Sequence, residues 1–366
     1  MIVLDLKLKN ILGFSNFEIN FSYPKKAVGS IIENEHLSGR PNFRYKKVVL
    51  LTGANATGKT SLGKALSRIF KYLESGNSSL LTDITMPGAI GHFSIDFVNG
   101  NHILHRVCGT VGGENAALNV MHSSTEIGKR DSYEKCVLKL PIATRLDNDV
   151  RTLKATFGEL KYRFAYPEIE STLRLSEVDR NVLLKVFRAV IGTLDPTLTD
   201  ISISKDLRDS YIIRRGNAEI IVQDGKLLCR DILSSGTAEG VDISIFLASI
   251  MSTSSGFYYC DEHFSYIQTD IEKRVFGIMI DHLKEDEQLI FTTHNTDMLD
   301  LNLPKHSFAF LCRRTSGDGA EIFVTYASDV LKRNTDSVRC AFENDVFMSI
   351  PNDSLLDTLE VGWDDE

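Results

Sequence analysis

The chain of 366 residues is 43% hydrophobic and 25% charged, with a formal net charge of −8 and a mean hydropathy of −0.08. That balance fits one large or two modest domains with a real core, and it excludes a disordered chain, a collagen and a small disulfide scaffold. No apolar run reaches the roughly 18 residues of a membrane helix, and Asp5, Lys7 and Lys9 interrupt the stretch that a secretory leader needs, which predicts a cytoplasmic protein with no membrane partner. Six cysteines (Cys108, Cys136, Cys229, Cys260, Cys312 and Cys340) are scattered without a CxxC pair and read as reduced thiols, not zinc ligands or disulfides. The negative charge opposes polyanion binding by the surface as a whole, so contact with DNA needs separate support.

Ile2, Leu4, Leu6 and Leu8, then Phe17, Ile19 and Phe21, alternate with polar residues around a turn at Gly13 and Asn16, which predicts two antiparallel strands. Residues 23 to 45, with Pro24, Gly29, Gly39 and Pro41, read as an inserted loop. Val48 to Leu51 is a continuous apolar run suited to a strand buried on both faces, and Leu62, Leu66, Ile69, Phe70 and Leu73 mark one side of a helix after it. Alternating segments at 92–97 and 102–107 flank Asn99-Gly100-Asn101, which predicts a hairpin in a second sheet. From about 145 to 195 the period is helical, and short strands resume at 201–203, 211–213 and 219–222. The last third alternates strand-like and helix-like runs, including Phe257 to Cys260 and Gln288 to Phe291, and so predicts a mainly parallel central sheet.

Four segments carry chemistry. Gly53-Ala54-Asn55-Ala56-Thr57-Gly58-Lys59-Thr60 satisfies G-x-x-x-x-G-K-[ST] between an apolar strand and a helix. The glycines let backbone N–H groups turn around phosphates, Lys59 reaches the terminal phosphates, the Thr60 hydroxyl suits Mg²⁺, and Ser61 lies beside them. The run Phe257 to Cys260 ends in Asp261-Glu262; successive strand residues point to opposite faces, which suits Asp261 to the magnesium shell and Glu262 to polarising a water. The run Gln288 to Phe291 leads through Thr292-Thr293 to His294-Asn295. If 48–51, 257–260 and 288–291 are parallel neighbours, all three carry their polar groups to the sheet edge where α/β proteins bind ligands, with His294 facing the γ-phosphate. Leu233-Ser234-Ser235-Gly236-Thr237 opens an apolar helical run and also reads as an ordinary helix cap.

In this order the four segments resemble those of ABC-type ATPases. Leu-Ser-Ser-Gly-Thr and Phe-Thr-Thr-His-Asn-Thr-Asp-Met-Leu-Asp resemble the OLD-like ATPase family, relatives of the RecF and SMC heads, across residues 1 to about 350. The resemblance implies an α/β ABC-type P-loop head with a mixed central sheet, an antiparallel lobe and a helical lid. Its parts would be 1–145 (phosphate loop and antiparallel lobe), 146–198 (lid) and 199–350 (signature, Asp261-Glu262 and His294). It also implies ATP and Mg²⁺ as ligands and a dimer, or higher oligomer, in which Ser234, Ser235 and Gly236 touch the γ-phosphate held by the other protomer. The implied role is the ATPase or sensor subunit of a bacterial anti-phage, abortive-infection system that controls a separate effector, a nuclease or toxin.

This chain departs from the pattern. A transporter-type signature has Gly-Gly-Gln where Ser235-Gly236-Thr237 stands, Gln223 comes too late for a glutamine loop, and Ile267-Gln268-Thr269 replaces a frequent Leu-His-Pro. About 60 residues follow Pro304, too few for a TOPRIM nuclease, so an effector is expected on another chain. The alternative is a RecF- or SMC-like repair or chromosome-maintenance ATPase acting on DNA, for which Arg214-Arg215 and Arg313-Arg314 are the candidate phosphate contacts. The absence of a long heptad-bearing hairpin and the acidic charge stand against it. Residues 351–366, with Trp363 among six carboxylates, read either as a frayed acidic end or as a docking peptide.

Overall fold

A computed structural model describes residues 1–25, 30–112, 118–166, 178–228, 230–252, 256–316, 319–333 and 335–349. The expected acidic tail, Cys229, Gly317 and Asp318 lie outside the described residues.

The central sheet runs in the order Tyr162–Ala165, Phe257–Asp261, Gln288–Thr292, Val48–Gly53, Phe308–Ser316, Gly319–Tyr326. Its first five strands are parallel and the last returns as an antiparallel hairpin. The condition set on the three runs at 48–51, 257–260 and 288–291 is therefore met: they are parallel neighbours. Their continuous apolar character follows from burial on both faces. Val49, Leu51, Tyr259 and Ile290 face the core of the helix Lys59–Ser75, whereas Val48, Leu50, Tyr258 and Phe291 face the core of the helices Arg180–Leu194, Ser235–Ser252 and Thr269–His282.

The N-terminal strands Ile2–Lys9 and Phe17–Asn20 pair as expected, but they also continue the sheet of the hairpin Gly91–Val98 and Ile103–Val111, which Leu118–Glu126 and Thr144–Arg145 extend. A polar ladder crosses this sheet. Asn20, Asp5, Asp96 and Arg106 are cross-strand partners in successive pairs. Arg106 donates to both Asp96 oxygens at 2.7 and 2.6 Å, and the Tyr133 hydroxyl donates to Oδ2 at 2.7 Å. A four-stranded antiparallel sheet at 200–227 packs on the helix Arg180–Leu194, with Phe187 edge-on to Tyr211.

Two expectations differ from what is observed. The stretch 23–45 is not merely a loop: His36–Leu37 and Arg40–Arg44 form a hairpin anchored by the buried rings of Phe43 and Tyr45. Within 146–198, the helices Val150–Phe157 and Arg180–Leu194 are separated by the strand Tyr162–Ala165. A four-residue strand is too short to show a period, and it is held by pairing with Phe257–Cys260 and by the Phe70, Phe164 and Phe257 rings.

Gln288 joins the two large sheets. Its Oε1 accepts the Val3 N–H at 2.9 Å and its Nε2 donates to the Val3 and Lys46 carbonyls at 3.2 and 3.0 Å. One buried amide thus acts as a peptide group between strands that do not themselves pair.

Candidate active site

The strand Val48–Gly53 delivers the phosphate loop. A Cβ on Gly53 would stand 2.5 Å from the Leu311 carbonyl oxygen, and one on Gly58 would press on the Phe14 ring at 2.9 Å with φ at +96°, so both positions require glycine. Thr57 Oγ1 fixes the loop by donating to the Ala54 carbonyl at 2.8 Å. Asn55 and Ala56 are exposed at the tip, while Thr60 and Ser61 are half-buried in the first turn of the helix Lys59–Ser75, whose N-terminus no side chain caps.

Lys59, Asp261, Glu262 and His294 form one cluster. The buried Lys59 ammonium donates to the Gly53 and Ala54 carbonyls at 2.7 and 3.2 Å and lies 3.3 Å from Glu262 Oε1. Burial lowers its pKa, against the pull of the Glu262 charge. His294 meets Lys59 Nζ through Nδ1 at 3.5 Å and Glu262 Oε1 through Nε2 at 2.8 Å. A carboxylate only accepts, so the contact with Glu262 requires a proton on Nε2.

The two carboxylates differ as adjacent strand-end residues should. Asp261 is 1% exposed, accepts the Thr292 hydroxyl at 2.8 Å and shares a hydrogen bond with Thr60. Burial pushes its pKa up, against those two hydroxyls. Glu262 has a left-handed backbone, φ +47°, held by its N–H, which donates to the Thr292 carbonyl and hydroxyl at 3.2 and 3.1 Å. Its side chain keeps 23% exposure; burial opposes its ionisation, but the His294 hydrogen bond and the Lys59 charge outweigh burial and hold its pKa below the ordinary glutamate value.

Ser234, Ser235 and Gly236 are not hydrogen-bonded to this cluster. The two serines are exposed, and Ser234 Oγ caps the helix Ser235–Ser252 by accepting the Thr237 N–H at 3.2 Å. A Cβ on Gly236 would meet the Tyr266 carbonyl oxygen at 2.7 Å. The buried Glu239 carboxylate, one turn further on, accepts the N–H groups of Ser265 and Tyr266 at 3.2 and 2.9 Å, and burial raises its pKa to about 7. The helix Ser235–Ser252 is thereby tied to the loop that follows Glu262.

Sequence reasoning missed Thr292, Tyr259, whose hydroxyl donates to the Lys59 carbonyl at 2.6 Å, Glu239 and Glu272. Thr292 was in view as the last residue of an apolar strand, and its register opposite Asp261 is the signal that locates it. A lone glutamate on a helix carries no comparable mark.

No protein-family model matches the chain, and no curated protein matches it. Solved structures do. An SMC head bound to the C-winged helix domain of ScpA aligns over 90% of this chain and all of its own, with TM-score 0.56 and 13% identity. An SMC head with an extended coiled coil, bound to the C-terminal domain of ScpA derived from Pyrococcus furiosus, aligns over 90% of this chain and 98% of its own, with TM-score 0.51 and 11% identity. At such identities the likeness is one of fold, and the chain is built as these ABC-type ATPase heads are.

Proposed function

We propose that the chain binds ATP with Mg²⁺ and hydrolyses it, two copies pairing so that each phosphate loop faces the partner's Ser234 to Gly236. The observation that carries this reading is the convergence of Lys59, Asp261, Glu262 and His294 at the C-terminal edge of three adjacent parallel strands. Thr60 and Asp261 fit Mg²⁺, since a hydroxyl and a buried carboxylate already in hydrogen-bond contact are hard oxygen donors. Bound there, Mg²⁺ supplies positive charge to neutralise the phosphates. The loop amides orient the phosphates, and Lys59 places its charge on the terminal group. The ionised, partly accessible Glu262 takes the proton of the attacking water, and His294 fixes that carboxylate through Nε2–H. Exposed serines at a helix start suit Ser234 and Ser235 to a nucleotide on a second copy.

The resemblance of the Leu233 to Thr237 and Phe291 to Asp300 segments to OLD-like ATPases supports a switch role, the ATPase or sensor subunit of an anti-phage system restraining a separate nuclease or toxin. The likeness to SMC heads supports the second reading, direct action on DNA. Against that reading, Arg214 pairs with Asp200 and Glu219, each at 2.9 Å, Arg215 pairs with Asp195, and Arg314 lies over the Phe323 ring at 5.0 Å.

Light scattering of the chain with and without ATP and Mg²⁺, beside Glu262→Gln, tests the sandwich. The expected result is an ATP-dependent dimer that the variant traps. A mass insensitive to nucleotide in both proteins overturns it. Adding duplex DNA to the trapped dimer separates the two roles: salt-sensitive binding favours the SMC-like one.

A further inference from the structure

We propose that Glu272 is a positioning residue for His294, an inference that rests on the ATPase reading above. His294 is 43% exposed at its side chain and meets Lys59 and Glu262 at its two ring nitrogens. So open a ring takes its aim from the backbone on either side of it, and both sides are held by one carboxylate. Glu272, 2% exposed in the first turn of the helix Thr269–His282, accepts the Thr293 hydroxyl on Oε1 at 2.9 Å and the Asn295 amide on Oε2 at 2.6 Å.

The bracket is closed by further bonds. Asn295 Nδ2 also donates to Thr269 Oγ1 at 3.0 Å, and the Asn295 N–H donates to Thr293 Oγ1 at 3.0 Å. Asn295 Oδ1 accepts the Asp297 N–H at 3.0 Å, which starts the next short helical turn. A glutamate that only capped its helix would bond the helix's own first amides, whereas both Glu272 oxygens reach residues 21 and 23 positions away. Burying a carboxylate is costly unless it is fully bonded, so its two partners are fixed strongly or the site is lost. The same helix follows directly on the loop from Glu262. Glu272 therefore holds the histidine in register with the segment that carries the carboxylate it orients.

The test is a double-mutant cycle on steady-state ATP hydrolysis with nucleotide affinity measured alongside. Glu272→Gln keeps the shape and loses one of the two acceptor oxygens. It should lower kcat about tenfold with KM for ATP little changed, and adding it to His294→Ala should slow that variant no further. Thr293→Val, which removes one leg with Glu272 in place, should lower kcat less and should likewise be silent on His294→Ala. If Glu272→Gln fails to bind ATP, the Thr293→Val cycle decides by the same criterion. Losses that multiply with His294→Ala, or a rise in KM at constant kcat, overturn the inference while leaving the ATPase reading intact. No turnover in the unsubstituted chain overturns both.

Discussion

Among the described residues, two clusters of buried charge, one in each large sheet, differ in whether their bonds are complete. In the antiparallel sheet Asp96 is saturated: both oxygens take the Arg106 fork and a third bond comes from Tyr133. At the central sheet's edge Lys59, Glu262 and His294 hold one another, yet Glu262 and His294 remain open to solvent. Sealed charge specifies a structure, whereas charge left partly accessible is available to chemistry.

That contrast breaks if substitutions in the two clusters have the same effect. Glu262→Gln should lower kcat by about 10² to 10⁴ with ATP still bound and the folded state as stable as before, checked by turnover, nucleotide titration and thermal melting. Because His294 and Lys59 hold the Glu262 pKa down, the acid limb of the pH–rate profile should fall below the ordinary glutamate range. Arg106→Leu should do the reverse, costing about 3 kcal/mol in denaturant unfolding by leaving Asp96 buried and unpaired, with kcat intact.

The smallest effect belongs to Asp5, which stands opposite Asp96 in the ladder. Burial raises its pKa from an ordinary 3.8 to about 6, with Asp96 adding to the shift. The folded state therefore binds more protons than the unfolded one across that interval, and stability falls as pH rises through it. Asp5→Asn should flatten this slope and raise stability at pH 7 by at most about 3 kcal/mol, measured by denaturant melts at several pH values.

The phosphate loop, Asp261-Glu262 and His294 were legible because each follows a continuous apolar run, and such runs are what a sheet buried on both faces demands. The same runs pointed to a mainly parallel sheet, but the adjacency of the three strands entered only as a condition, because strand order depends on pairing across more than 200 residues. The Tyr162–Ala165 strand was not, since its pairing comes from a neighbour almost a hundred residues on and its four residues show no pattern. The Asp96 ladder depends on the register of four strands, which no local window contains. Glu239 and Glu272 look in sequence like any helix carboxylate, and what distinguishes them is burial against a loop from elsewhere in the chain.

Gln288 bears on how the molecule is made. The Val3 backbone it satisfies lies 285 residues earlier, and ribosomes add about 5 to 20 residues per second, so Val3 waits roughly 15 to 60 s for this partner to be synthesised. The phosphate-loop strand waits similarly, because both its neighbours, Gln288–Thr292 and Phe308–Ser316, begin 240 and 260 residues after it does. During translation its apolar residues have no neighbouring strand to pair with until those two segments emerge, so the edge carrying the candidate site is completed only after both have been made.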